Sequence, residues 1–175
     1  MSRTYLVLLF TCLVLGSLAT DIDMFPDDNS CDGDDFITCE NIPAGNCCYS
    51  DEELFQSCEA NLPSKPIQAF ALQSGDYCNI LLGGSYLCWG VSDDIARISG
   101  CKWIEENTKR SSHDADTQSC ANSGRKPNYR GRKIGTKSYL IDMEGQGYQE
   151  YMNLTSSEDK NEFLMRKADK VRDQA

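Results

Sequence analysis

The chain has 175 residues, of which 40% are hydrophobic and 25% charged, and its net charge is −10. Residues 21–110 hold seventeen Asp and Glu against five Lys and Arg, whereas residues 111–175 hold ten against eleven. The acidic first part argues against nucleic acid or an anionic membrane as partner, because both are bound through clustered Lys and Arg. Apart from a short apolar run near the N-terminus, no apolar run approaches the length that spans a bilayer, so we expect no membrane anchor.

The N-terminus is typical of a secretory signal peptide. Arg3 supplies the positive charge, residues 5–15 form a short apolar run, and Ser17-Leu18-Ala19 fits the small-x-small pattern of a cleavage site. We therefore predict that residues 1–19 are removed and that the remaining chain is secreted to the extracellular space.

Nine cysteines remain after this cleavage, and an oxidising compartment would convert them to disulfides. Eight fall within residues 31–101, an even number that suits four bridges: Cys31, Cys39, Cys47, Cys48, Cys58, Cys78, Cys88 and Cys101. Eight cysteines allow 105 pairings, which the spacing leaves open. Cys120 lies outside this set and is predicted to be a free thiol. Zinc is disfavoured, because no Cys-x-x-Cys occurs and His113 is the sole histidine.

Residues 21–35 carry seven aspartates, and this composition predicts a solvated arm that Cys31 tethers. Asp28, Ser30 and Asp32 alternate as the ligands of a calcium loop do, but no bidentate Glu follows where such a loop ends. The acidic arm is the better interpretation.

Short β-rich runs separated by turn residues follow. The predicted strands cover residues 36–39, 67–72, 77–82, 86–89 and 97–104. The run 67–72 is apolar on both faces and is predicted to lie inside a sheet. The predicted fold class is mainly β, a small antiparallel, disulfide-stapled sandwich or meander over residues 20–108, with a C-terminal helix.

The segment from Ser50 to Pro63 permits two structures. Ser50 and Glu53 form a capping-box pattern that is typical of a short helix. The alternation of Leu54, Gln56 and Cys58 instead permits a strand.

Several segments, in order, resemble a family of small secreted cysteine-rich fungal proteins that open with Cys-x-x-Ile-x-x-Gly-x-Cys-Cys. The segments are CENIPAGNCC at 39–48, FQSCEANLP at 55–63, GDYC at 75–78, SYLC at 85–88 and RISGCKWI at 97–104. The resemblance implies a secreted, disulfide-bonded, mostly β protein of the kind counted among effector candidates, and it carries over no catalytic or binding residue. It also favours a strand over residues 54–60.

Cys58 and Cys101 stand where this family has Val and Ala within two strands. Two such departures suggest that a disulfide joins Cys58 to Cys101, either between adjacent strands or between two layers. Two separate buried thiols are the alternative. The other six cysteines then supply the family's remaining bridges.

Residues 109–136 are predicted to be a polar, basic linker. The pair Lys109-Arg110 suits a kexin-type processing protease, although an uncut loop is equally compatible. The run 125–137 holds six positive charges and no acid. We expect it to dock on the acidic domain rather than to bind nucleic acid.

Residues 137–175 are predicted to form a strand at 139–143 and a helix that runs to about Asp173. Either Thr155 or Ser156 would cap this helix. Asn153, in Asn-Leu-Thr, is the predicted N-glycosylation site.

No enzyme signature emerges from the sequence. Glu59, Arg97 and His113 can be nominated as ribonuclease residues, but their spacing does not demand it. Asp93-Asp94 are adjacent in a turn and diverge, which does not suit glycoside hydrolysis. Aromatic side chains on the strands are interpreted as core rather than as a sugar platform: Tyr86, Trp89 and Trp103.

We therefore expect no catalytic residue, cofactor or metal. The expected function is that of a secreted, non-enzymatic, effector-like binding protein with an unidentified protein or glycan as its partner. A killer-toxin-like or antimicrobial protein is the alternative, and a small hydrolase is a third.

Overall fold

The computed structural model describes residues 19–62, 65–73, 76–92, 97–105 and 124–173. The predicted signal peptide up to residue 18, the Lys109-Arg110 pair, His113 and Cys120 lie outside the described residues.

The described part of the chain is mainly antiparallel β structure, which confirms the predicted fold class. Its elements are β1 (Ala19–Phe25), β2 (Asp35–Pro43), β3 (Cys47–Tyr49), β4 (Ser57–Ala60), β5 (Ile67–Gln73), β6 (Asp76–Ser85), β7 (Cys88–Gly90), β8 (Gly100–Trp103), β9 (Tyr129–Ile134), β10 (Lys137–Asp142), α1 (Gln146–Met152), α2 (Ser157–Lys167) and β11 (Lys170–Asp173). Sheet A has the order β11-β10-β9-β2-β1-β4-β7, and sheet B has the order β3-β8-β5-β6.

The main core lies between the two sheets. Alternate residues of β1 and β2 point toward sheet B, so that Ile22, Met24 and Ile37 are fully buried in the same cluster as Trp103 of β8. The Trp103 indole N–H donates to the Ile42 carbonyl at 2.6 Å, which satisfies its buried polar atom. β5 lies inside sheet B, as its two apolar faces predicted.

Four disulfides join the eight cysteines in the pairs Cys31–Cys88, Cys39–Cys48, Cys47–Cys78 and Cys58–Cys101. Cys58–Cys101 is the pair that the sequence suggested, and it connects β4 of sheet A to β8 of sheet B with Cα atoms 6.7 Å apart. This bridge therefore crosses the core between the two layers.

Sheet B curls on itself. Its two outer strands, β3 and β6, are three strand spacings apart, which in a flat sheet is about 14 Å. The Cα atoms of Cys47 on β3 and Cys78 on β6 are nevertheless only 6.7 Å apart. Gly100 of β8 lies beneath this bridge, where an added Cβ would collide with both sulfurs.

Sheet A also curls. Its edge strand β11 is four spacings from β1, about 19 Å in a flat sheet, which is far beyond the combined reach of an arginine and an aspartate. Yet Arg172 of β11 contacts Asp23 of β1 at 3.1 Å. The concave face so formed holds a second, small core around Phe25, Phe36 and Leu140. Gly131 of β9 is required there, because the Phe36 ring occupies the place of a Cβ.

The acidic arm predicted for residues 21–35 is wrong for its first part. β1 pairs with both β2 and β4 and is therefore an inner strand of sheet A. Ile22 and Met24 alternate with Asp21 and Asp23, and this alternation gives β1 one apolar and one acidic face. The aspartate content concealed that pattern.

The predicted basic linker is also wrong over residues 129–134. These residues form β9, which pairs with β2 on one side and β10 on the other. The predicted strand at 139–143 corresponds to β10.

The predicted C-terminal helix begins as expected but ends early. The Ser156 hydroxyl accepts a hydrogen bond from the Asp159 N–H and caps α2. The helix stops at Lys167, because Ala168 has an extended ψ of 136° and the Asp169 N–H donates to the Leu140 carbonyl. The chain then continues as β11 along β10.

The two helices cover β10. Tyr151 of α1 and Phe163 and Leu164 of α2 are buried with Ile141, which closes a separate apolar cluster on the convex face of sheet A. Neither described helix is long and apolar enough to cross a membrane.

The capping-box pattern at Ser50 forms a turn instead of a helix. The Ser50 hydroxyl accepts hydrogen bonds from the Glu52 and Glu53 N–H groups, and no helix follows. β4 then begins at Ser57, so the strand interpretation of Cys58 is confirmed.

Candidate functional site

A polar cleft of about 470 Å³ opens on the concave face of sheet A. Six strands or their flanking residues contribute to it, because the curl brings both ends of the sheet to one place. The side chains on which its charge depends are Asp21, Asp23, Asp32, Glu59, Lys133, Arg172 and Asp173. Five carboxylates against two cations give the lining a formal charge of −3.

The arginine of β11 neutralises the aspartates of β1. The Arg172 guanidinium donates to Asp21 at 3.3 Å and to both carboxylate oxygens of Asp23 at 3.1 and 3.2 Å. The Asn61 side-chain amide also donates to Asp23 at 3.1 Å. The Arg172 guanidinium also lies over the Phe36 ring, 5.5 Å from its centroid, and this cation–π contact helps to fix its position.

The lysine of β9 is occupied too. The Lys133 ammonium donates to the Cys31 carbonyl at 2.9 Å and lies 4.8 Å from the centroid of the Phe25 ring. Cys31 is fixed in turn by its bridge to Cys88. Both cations of the cleft are thus committed to partners other than Glu59.

Glu59 is the one carboxylate of the cleft that is both inward-facing and largely buried without a hydrogen bond or ion pair among the described residues. It lies directly opposite Asp23 in the β1–β4 ladder. Burial, with the charges of Asp23 and Asp32 as smaller contributions, raises the pKa of Glu59 to about 7. Lys133 and Arg172 oppose this rise only in part.

In the sequence, Glu59 stood out only beside Arg97 and His113, as ribonuclease candidates whose spacing did not demand that role. Arg97 donates to the Pro26 carbonyl at 2.9 Å and does not line the cleft, and His113 lies outside the described residues. The missed partners were Asp23 and Arg172, which belong to segments interpreted as an arm and a helix end. The alternation of charged and apolar residues in β1 and β11 was the available signal.

The other nominated residues lie elsewhere. Trp103 is buried in the main core and Trp89 packs against its rim, as expected of core aromatics, whereas Tyr86 is exposed. Asn153 is exposed at the C-cap of α1, and its glycosylation stays a prediction.

The residues considered as calcium ligands form hydrogen bonds within their own loop. The Asp28 carboxylate accepts from the Ser30 N–H and hydroxyl and from the Asp32 N–H, so the loop satisfies it. Within the described ranges, no group of His, Cys, Asp and Glu is arranged to hold a metal ion.

Fold and cleft together define a disulfide-rich, two-sheet β protein with a charged opening in its curled larger sheet. The sequence model of the ARB_05566_N family, described as an N-terminal domain, matches residues 21–128, and the chain belongs to this family. Neither a search of curated proteins nor one of solved structures gave a significant match. The matched region ends just before β9, so Lys133 and Arg172 reach the cleft from outside it.

Proposed function

We propose that this protein is a secreted, non-enzymatic, effector-like binding protein that holds a protonated amine of its ligand in the cleft of sheet A. Glu59 is the observation that carries the proposal. The four disulfides are consistent with an extracellular protein.

A largely buried carboxylate without a counter-charge costs free energy, because burial removes water and nothing replaces it. In the apo protein Glu59 avoids part of this cost by holding a proton near neutral pH, since its pKa is raised to about 7. A ligand cation would remove the cost by supplying the missing charge and hydrogen bonds. The net negative lining favours the same kind of ligand.

The volume of the cleft, about 470 Å³, lies in the range of small-ligand pockets and limits the ligand to a small unit or the tip of a larger one. An amino-sugar glycan and the lysine side chains of proteins both present a protonated amine outside cells. Both share the chemistry that Glu59 recognises.

A binding role is favoured over hydrolysis by the state of Asp23. Acid–base hydrolysis of a glycoside needs a second carboxylate that is available as nucleophile or base. Asp23, the neighbour of Glu59, is already bound by Arg172 and Asn61. This supports a site that holds its ligand unchanged.

Isothermal titration calorimetry with three probes tests the proposal: a glucosamine oligosaccharide, its N-acetylated counterpart and a lysine tripeptide. We expect binding of at least one amine probe, no binding of the acetylated one, and an affinity loss of roughly tenfold or more in Glu59→Gln. Glu150→Gln, which alters an exposed carboxylate of α1, is the matched control and should bind as the wild type does.

The pH dependence sharpens the test. Lysine remains charged through neutral pH, whereas Glu59 ionises near pH 7, so affinity for the lysine tripeptide should rise from pH 6 to pH 8. Failure of both amine probes overturns the ligand class. Cleavage of an oligosaccharide that Glu59→Gln abolishes, seen by mass spectrometry, overturns the non-enzymatic role.

A further inference from the structure

The cleft of sheet A has two sides of different chemistry. Toward β1 and β11 it is charged, and Asp23 is bound there by Arg172. Toward β7 it is apolar, because Leu87 is 63% exposed and lines the cleft together with Cys31. The disulfide from Cys31 to Cys88 of β7 fixes this apolar side. A ligand that fits both sides must itself carry a charge next to an apolar part.

Glu59 lies at the boundary between the two sides. In the ladders of β4 it is directly opposite Asp23 of β1 on one side and Cys88 of β7 on the other. Residues that are directly opposite in antiparallel strands share a face and lie close together. An ammonium bound at Glu59 would therefore place its carbon chain toward β7, because the Arg172 guanidinium repels it on the side of Asp23.

We propose that the ligand of the cleft is a lysine side chain of a basic partner protein, with its ammonium at Glu59 and its methylene stem against Leu87. The inference rests on the amine site proposed above and selects one of the two sources of the amine. Lysine has the required shape, since a flexible apolar stem carries its compact charge away from the backbone.

An amino sugar fits the apolar side less well. Its amine is attached directly to the ring, so the ring hydroxyls would follow the amine into the cleft and lose water against Leu87. Sugar rings often pack on an exposed aromatic face, and no aromatic residue lines the cleft within the described ranges. The Phe25 and Phe36 rings are fully buried, and Lys133 and Arg172 lie over them.

The charge of the chain favours a basic protein as the bearer of this lysine. The net charge is −10, and the carboxylates of Asp21 and Asp173 also line the cleft. Attraction between such a surface and a basic protein speeds their encounter and disfavours acidic partners. The cleft would then bind one of the lysines that the basic surface presents.

Isothermal titration calorimetry of the full chain with two probes that each carry three amines tests the inference. One probe is a lysine tripeptide capped at both ends, so that its side-chain amines are its only amines, and the other is a glucosamine trisaccharide. We expect the capped peptide to bind at least about tenfold more tightly, because only its stems gain the apolar contact with Leu87. The same peptide with acetylated lysines lacks the charge and should not bind.

Leu87→Ser removes the apolar side and keeps every charge of the cleft. We expect it to weaken binding of the capped lysine peptide about three- to tenfold, as loss of a few buried apolar contacts does, and to leave binding of the trisaccharide unchanged. Met165→Ser is the matched control, since Met165 of α2 is an exposed apolar side chain that does not line the cleft. It should bind both probes as the wild type does.

The outcomes separate this inference from the proposed function. Binding of the trisaccharide as tightly as the peptide, or an unchanged peptide affinity in Leu87→Ser, overturns the lysine inference but not the amine site. Failure of both probes overturns the amine site and this inference together. Tighter binding of the peptide that Leu87→Ser weakens and Met165→Ser retains supports a lysine as the ligand.

Discussion

The two sheets of this protein close in different ways. Sheet B brings its outer strands together with a covalent bond, Cys47–Cys78. Sheet A brings β11 over β1 and β2 with ion pairs, through Arg172 to Asp21 and Asp23 and through Lys170 to Glu40. The same geometric problem, a curled sheet held near closure, therefore has two chemical solutions in one chain.

The difference follows the division of charge along the sequence. The covalent closure lies within the matched family region, whereas the ionic closure depends on basic residues beyond it. Other basic residues dock on acids of the first part in the same manner, in the pairs Lys126–Asp51, Arg130–Glu53 and Arg132–Asp35. The stabilisation from a disulfide does not depend on salt or on modest changes of pH, but reductant removes it. The stabilisation from ion pairs is weakened by salt and changes with pH, but reductant does not affect it.

Reduction of all four disulfides should have the largest effect. We expect loss of the native fold of residues 31–104, because short strands bury little and each bridge typically contributes a few kcal/mol. Circular dichroism and limited proteolysis with and without reductant measure this. Unchanged spectra and protease resistance would show that packing alone holds both sheets.

Removal of the sheet B closure alone should cost less. The double variant Cys47→Ala and Cys78→Ala opens a loop with a sequence separation of 31 residues, which predicts a loss of about 3 to 4 kcal/mol. Urea denaturation at neutral pH gives the value. A loss insensitive to ionic strength fits covalent closure, and one that grows steeply with salt would contradict it.

Removal of the sheet A closure should be the ionic counterpart. Arg172→Ala leaves Asp23, only 6% exposed, without its counter-charge, so we expect a loss of about 2 to 3 kcal/mol. Lys126→Ala breaks the exposed pair with Asp51 and should have no measurable effect on stability. Equal effects of the two variants in urea denaturation would refute a special role for Arg172.

Glu59→Gln should give the smallest and most pH-dependent change. The pKa of Glu59 is about 7 in the folded protein against an ordinary 4.5, so the folded state retains a proton that the unfolded state releases. Wild-type stability therefore falls as pH rises between these values, by about 1 to 2 kcal/mol when partial exposure is taken into account. Thermal melts should show equal stability of the two proteins at pH 4 and greater stability of Glu59→Gln at pH 8. A difference that does not change with pH would argue against the raised pKa.

Local patterns predicted much of the fold. The Ser156 cap and the inner position of β5 could each be interpreted from a few neighbouring residues. The Cys58–Cys101 pair was suggested instead by the resemblance to a family that has Val and Ala at these two positions. β1 was missed because seven aspartates outweighed a short alternation, and β11 because nothing near Ala168 marks the end of a helix.

The cleft could not be predicted either, and the reason is different from that for β1 and β11. It exists only because both ends of sheet A meet, and Arg172 and Asp23 are 149 positions apart in the chain. Such long-range pairing depends on the curl of the whole sheet, which no local window contains. Charge complementarity between the two parts was the one feature that pointed toward it.

The vicinal cysteines of β3 carry a consequence for how the disulfides form during folding. Adjacent strand residues point to opposite faces, so Cys48 bonds to Cys39 toward the main core, while Cys47 bonds to Cys78 on the concave face of sheet B. Exchange of these two partners would require β3 to slide by one residue, which would also turn Tyr49 to the wrong face. The disulfide partners of Cys47 and Cys48 therefore depend on the register of β3. A disulfide isomerase that exchanged the partners of these two cysteines would correct the strand register and the disulfides in a single step.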